Sequence, residues 1–159
     1  MAIVYSNRGA DNFPVPQAVG GGVLNVHWGR YDYATNLAAA DTIRFLTLPA
    51  RSTVIGGYLQ GSDLDTGTEE LDIDIGWLAN GVETVDLDGF GNMGVITGDA
   101  VTELKPEAGI YRPLGGVLMA TDGGPKFFTA ETKIVGTVVA DAATLTAGQL
   151  TLVVFYVCL

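Results

Sequence analysis

A chain of 159 residues has room for one domain whose core needs no covalent staple. Hydrophobic residues make up 48% of it and charged residues 16%, which excludes an intrinsically disordered chain. Eight basic against 18 acidic residues leave a formal charge of −10, and such a surface repels phosphate backbones and anionic membranes, so direct nucleic-acid binding is not its mode.

Met1 to Gly22 reads as an extended arm ahead of a body formed by residues 23–159. Pro14, Pro16 and Gly20-Gly21-Gly22 prevent regular structure there, yet Ile3, Val4, Tyr5 and Phe13 make the segment too apolar for an inert tag. Those four residues are candidate contacts to a neighbouring subunit, the alternative being a terminus packed loosely on its own body. The start lacks the charged and apolar blocks of a secretory signal, and no apolar run reaches membrane-spanning length. A soluble chain made in the cytoplasm is expected.

Val23 to Tyr33 alternates Leu24, Val26 and Trp28 against Val23, Asn25 and His27, as a first strand of the body would. Ala34 to Ala40 has the length of one helical turn. From Thr42 to Leu48 the β-branched and large apolar residues predict a strand, which Pro49 ends because it has no N–H to donate. Ala50-Arg51-Ser52 turns a corner into a second strand from Thr53 to Leu59, and Gly61 to Glu70 is a polar loop.

Leu71 to Trp77 alternates most cleanly. Leu71, Ile73, Ile75 and Trp77 share one face while Asp72, Asp74 and Gly76 share the other, which requires a strand between core and water. Asn80-Gly81 and Asp88-Gly89 read as turns, Met93 to Thr97 and Val117 to Thr121 as short strands, and Glu103 to Pro113 as a surface segment. Lys133 to Val139 and Leu150 to Val157 are the closing strands. In the last one Leu150, Leu152, Val154 and Tyr156 form one apolar face, and Thr151, Val153, Phe155 and Val157 form a second. A sandwich strand usually wets one face, so the arm, the long middle segment or a neighbouring subunit must cover this one. Roughly seven to nine strands without a sustained helical period predict an all-β, single-domain antiparallel β-sandwich or barrel of jelly-roll-like type.

Reactive chemistry is sparse. His27 is the only histidine and sits in a strand pattern, and Cys158, the only cysteine, reads as a small buried hydrophobe. One of each cannot close a tetrahedral metal site. Asp86-Leu87-Asp88-Gly89 opens like a calcium loop, but Phe90 stands where an oxygen ligand belongs and no glutamate closes it. Gly20-Gly21-Gly22 and Gly115-Gly116 lack the Lys-Ser/Thr of a phosphate loop. Neither a catalytic residue, a cofactor nor a bound metal is expected.

The order of these elements carries a resemblance. It runs from Leu48-Pro49-Ala50 through Val54-Ile55-Gly56-Gly57-Tyr58 to Ile73-Asp74-Ile75-Gly76. It continues with Phe128-Thr129-Ala130-Glu131-Thr132-Lys133-Ile134 and Thr144-Leu145-Thr146-Ala147-Gly148-Gln149-Leu150, closing on Val154-Phe155-Tyr156-Val157. This resembles the head decoration, or capsid cement, proteins of tailed bacteriophages, over less than half of the chain. The resemblance implies a homotrimer or homodimer on the capsid exterior of the virion, made in the host cytoplasm. Its partner would be the major capsid protein, whose neighbouring subunits it would clamp together. Other readings stay open: a tail, neck or head-fibre module, a carbohydrate-binding sandwich stacking sugars on Trp28, Trp77, Tyr31 or Tyr33, and an enzyme built on a carboxylate pair.

Overall fold

Two β-sheets face one another with the apolar side chains between them. The computed structural model describes residues 1–11, 14–16, 22–96 and 125–159, with Asn92 and Met93 described by backbone only. Phe13, most of Gly20-Gly21-Gly22, Gly115-Gly116, Val117 to Thr121 and Glu103 to Pro113 lie outside the described residues.

Nine strands occur among the described residues: β1 (Ile3–Tyr5), β2 (Leu24–Tyr33), β3 (Thr42–Leu48), β4 (Ser52–Gly61), β5 (Asp72–Trp77), β6 (Asp86–Val95), β7 (Lys126–Phe128), β8 (Thr132–Ala140) and β9 (Gly148–Cys158). One sheet has the order β1-β3-β8-β5-β6 and the other β2-β9-β4-β7. Every pairing is antiparallel except that of β1 with β3, so the chain is an all-β sandwich.

The corner after Leu48 carries the chain from one sheet to the other, since β3 and β4 belong to different layers. Pro49 ends β3, Arg51 takes φ 63, and the buried Ser52 hydroxyl donates to the Pro49 carbonyl at 2.6 Å. Leu159 N–H then binds the Arg51 carbonyl, tying the C-terminus to the same corner.

β5 behaves as its alternation requires. Leu71, Ile73, Ile75 and Trp77 are buried, and Asp72 and Asp74 lie on the outer side. Burying those four side chains contributes on the order of 6–10 kcal/mol as an upper bound. Trp77 packs edge-on against Phe90 and Phe128 at centroid distances of 5.1 and 5.2 Å, and its indole N–H donates to the Thr84 carbonyl. From β9, Leu150, Leu152, Val154, Tyr156 and Cys158 enter the same core.

Three local expectations are corrected. Ala34 to Ala40 forms no helical turn but an irregular connection that buries Leu37 and puts Ala40 at φ 70. Seven residues hold too few internal hydrogen bonds to repay helix nucleation, whereas Leu37 gains by entering the core. Asp88-Gly89 is no turn but part of β6, which starts at Asp86 and is drawn into the ladder by Trp77 opposite Asp86. Met93 likewise belongs to this longer strand.

Residues 1–11 are held on their own body. Ser6 donates from its backbone to the Arg44 carbonyl and from its side chain to the Phe45 carbonyl. Asp11 pairs with the buried Arg44 and with Lys133 at 3.0 Å. The chain passes close enough that a Cβ on Gly9 would lie 1.7 Å from the Arg44 carbonyl oxygen, so only glycine fits.

Candidate interaction surface

The outer face of the sheet β2-β9-β4-β7 is apolar across its width. In β2, Leu24, Val26 and Trp28 point outward, opposite Val157, Phe155 and Val153 of β9 in the register of the ladder. β4 continues the rows with Thr53 beside Val157 and Tyr58 beside Val153. Phe127 of β7 lies beside Thr53 and is exposed. A bulge between Val54 and Gly56 leaves Ile55 unpaired and 48% exposed. Leu24 and Val26 are 57% and 55% exposed, among the larger values for any apolar side chain here. The exposed apolar area is on the order of 500 Å², at the upper end for the largest patch on a monomer.

Polar groups frame this face. The Arg8 guanidinium sits 4.2 Å from the centre of the Trp28 ring, a cation–π contact that fixes the indole. Arg30 and Asp32 follow on β2, 3.6 Å apart. Tyr58 and Phe155 meet edge to face at 6.1 Å.

The expected contact residues fall into two separate places. Val153, Phe155 and Val157 lie on this outer face, Val153 nearly buried and the other two half-buried. Ile3 and Tyr5 are exposed on β1, which belongs to the other sheet, while Val4 packs against the core. Tyr5 stacks on the Arg44 guanidinium at 5.0 Å. The structure therefore does not join Ile3, Val4 and Tyr5 to the β9 residues, and Phe13 lies outside the described residues. Sequence reasoning missed Leu24, Val26 and Ile55 as surface residues. The signal for the first two was present, because the alternation of β2 sets three apolar residues against Asn25 and His27.

That alternation places His27 in the interior, 2% exposed. Burial, and then the nearby Arg8 charge, hold its pKa down to about 4, so the ring is neutral at pH 7. The opposite layer carries the carboxylates. Burial, then the charges of Asp72 and Asp88, push the pKa of Asp74 up to about 6. Asp65 is buried and accepts N–H bonds from Glu70, Leu71, Ala143 and Thr144, a structural brace and not an ion ligand. No group of three metal-ligating side chains occurs among the described residues. Trp77, Tyr33 and most of Tyr31 are covered, which leaves Trp28 as the exposed aromatic of the four considered for sugar stacking.

An all-β sandwich with an apolar outer sheet face is the class of protein these features define. No protein-family profile and no curated protein matches the chain. Among solved structures, a chain of the capsid of Ralstonia phage GP4 shares the fold with a TM-score of 0.68 and 20% identity, over 99% of this chain and 98% of that one. A chain of the cyanophage Pam1 capsid asymmetric unit does so with a TM-score of 0.59 and 22% identity, over 95% and 96%.

Proposed function

We propose that this protein is a phage virion structural protein of the capsid decoration or cement type, which binds the outer capsid surface and stabilises contacts between major capsid subunits. The observation that carries the reading is the apolar outer face of β2-β9-β4-β7, whose exposed area is at the upper end for a monomer and of the kind that marks interaction sites. Its fold likeness to two phage capsid chains, each nearly full length, supports the same reading. Val153, Phe155 and Val157, with Leu24, Val26 and Trp28, would form the main contact, and Ile3 and Tyr5 a second one on the opposite layer.

The mechanism follows from geometry. A rigid sandwich presents a flat apolar platform, so binding orders few side chains and the loss of entropy is small. Each contact is modest, and repetition over symmetry-related sites multiplies the effect. A closed oligomer, dimer or trimer, would hold several platforms at fixed spacing.

The test is attachment to heads that lack the protein. The native chain should bind at hundreds of copies per particle and raise the temperature at which heads release DNA. Phe155→Glu should weaken attachment at least tenfold while the melting temperature of the free protein stays within a few degrees, because the side chain points away from the core. A handful of copies per virion would instead assign the chain to the neck or tail.

A further inference from the structure

Among the described residues, strand β2 ends its sheet, and one row of its backbone groups faces no further strand. Its pairing with β9 runs without a break from Leu24 opposite Val157 to Tyr33 opposite Gly148. Arg30 turns its backbone away from β9, since its N–H meets Asn7 Oδ1 at 2.7 Å and its carbonyl accepts from Asn7 N–H at 2.8 Å. Backbone direction alternates along an antiparallel ladder, so Leu24, Val26 and Trp28 also turn N–H and C=O to the open edge. These groups have no hydrogen-bond partner among the described residues. Other sheet-ending strands are blunted: β1 and β7 have three residues each, and β6 is interrupted by bulges. β2 has ten residues and no Pro, Lys or bulge among the devices that protect an edge.

We propose that this edge pairs with β2 of a second copy, antiparallel across a two-fold axis at Val26. Asn7 closes the edge at Arg30, so the open segment runs from Leu24 to Trp28 and Val26 is its centre. With Val26 opposite itself, Leu24 of each copy lies opposite Trp28 of the other. All three positions are then hydrogen-bonded pairs, and the two outer faces join into one eight-stranded platform.

Charge permits this contact where it opposes others. The open segment carries no ionised side chain, and Arg8, Arg30 and Asp32 beside it sum to one positive charge, against −10 for the whole chain. Asp72, Asp74, Asp86 and Asp88 belong to the other sheet, about 10 Å away through the core and screened by salt at that range. Edge pairing over five residues covers on the order of 350 Å² per copy, under half of a standard interface. The dimer is therefore weak in free solution, with half-association expected between roughly 10 µM and 1 mM.

Sedimentation equilibrium of the full-length chain over that range tests the proposal, independently of any capsid. The native protein should show a concentration-dependent dimer. Val26→Pro removes an N–H that faces the open edge and leaves the β9 ladder intact, so it should weaken the dimer at least tenfold at unchanged circular dichroism. Should that variant not fold, Val26→Lys brings two charges together at the axis and should have the same effect. Val26→Cys should cross-link to a dimer on mild oxidation, the paired Cα atoms lying about 5.5 Å apart, whereas Val85→Cys should not. A monomer at 1 mM, or an oligomer that neither Val26→Pro nor Val26→Lys weakens, overturns it.

Discussion

Asp65 shows how one side chain can hold two distant segments. Burial raises its pKa, but N–H donors from Glu70, Thr144, Ala143 and Leu71 reverse that and keep the pKa below the usual carboxylate value. Replacing it by Ala strands those donors and should cost on the order of 3 kcal/mol in urea unfolding at pH 7. His27 and Asp74 act on acid stability in opposite directions. The folded chain refuses a proton at His27 until about pH 4, whereas the unfolded chain accepts one near 6.5. Stability is therefore lost as pH falls through that window, by about 3 kcal/mol. Asp74 does the reverse. Its folded pKa of about 6 lies above the unfolded 3.8, so it destabilises at neutral pH and that penalty is relieved as pH falls between them. Asp74→Asn should thus raise stability at pH 8 and steepen the acid loss below pH 6. A pH profile of Asp74→Asn identical to that of the native chain would show that Asp74 does not titrate as described.

At the level of the strand, periodicity carried different amounts of information in different places. β5 was legible because its four apolar residues alternate with two aspartates and a glycine, and only one register buries them all. Ile73→Asp would place a charge at a fully buried position between the sheets and should leave no cooperative thermal transition. A melting temperature within a few degrees of the native one would contradict the assignment. β3, β4, β8 and β9 were legible from runs of β-branched and large apolar residues between turn signals, down to the corner at Pro49. β6 was not, because Asp86-Leu87-Asp88-Gly89 has turn composition and enters the ladder only through its pairing with β5. β1 and β7 have three residues each, too few to show a period. β2 was recognised as a strand, but its apolar face turns outward. Two facts of packing decide that orientation. A Cβ on Gly29 would lie 2.1 Å from the Phe45 carbonyl oxygen, and the His27 face is pressed on the core behind it.

On the scale of the whole molecule, the two outer faces differ in kind. The five-stranded sheet turns Asp72 and Asp74 outward, with Asp88 near enough to raise the pKa of Asp74. The four-stranded sheet turns out Leu24, Val26, Trp28, Phe155 and Val157. Under the proposed function, such a division would lay the apolar face on the shell and turn the acidic face to water, where like charges keep neighbouring particles apart. It follows that added salt should leave the proposed head attachment largely intact, since apolar burial and not ion pairing would drive it.

Composition and periodicity by themselves determined that this chain folds as an all-β sandwich or barrel, because alternation at period two and the punctuation by Pro and Gly are local properties of the backbone. They also marked β9 as apolar on both faces. Only the tertiary structure decided which face of β2 meets water, that β2 and β4 flank β9, and that the β1 residues belong to the opposite layer. Those outcomes depend on which strands become neighbours, and pairing between distant segments leaves no period in the sequence.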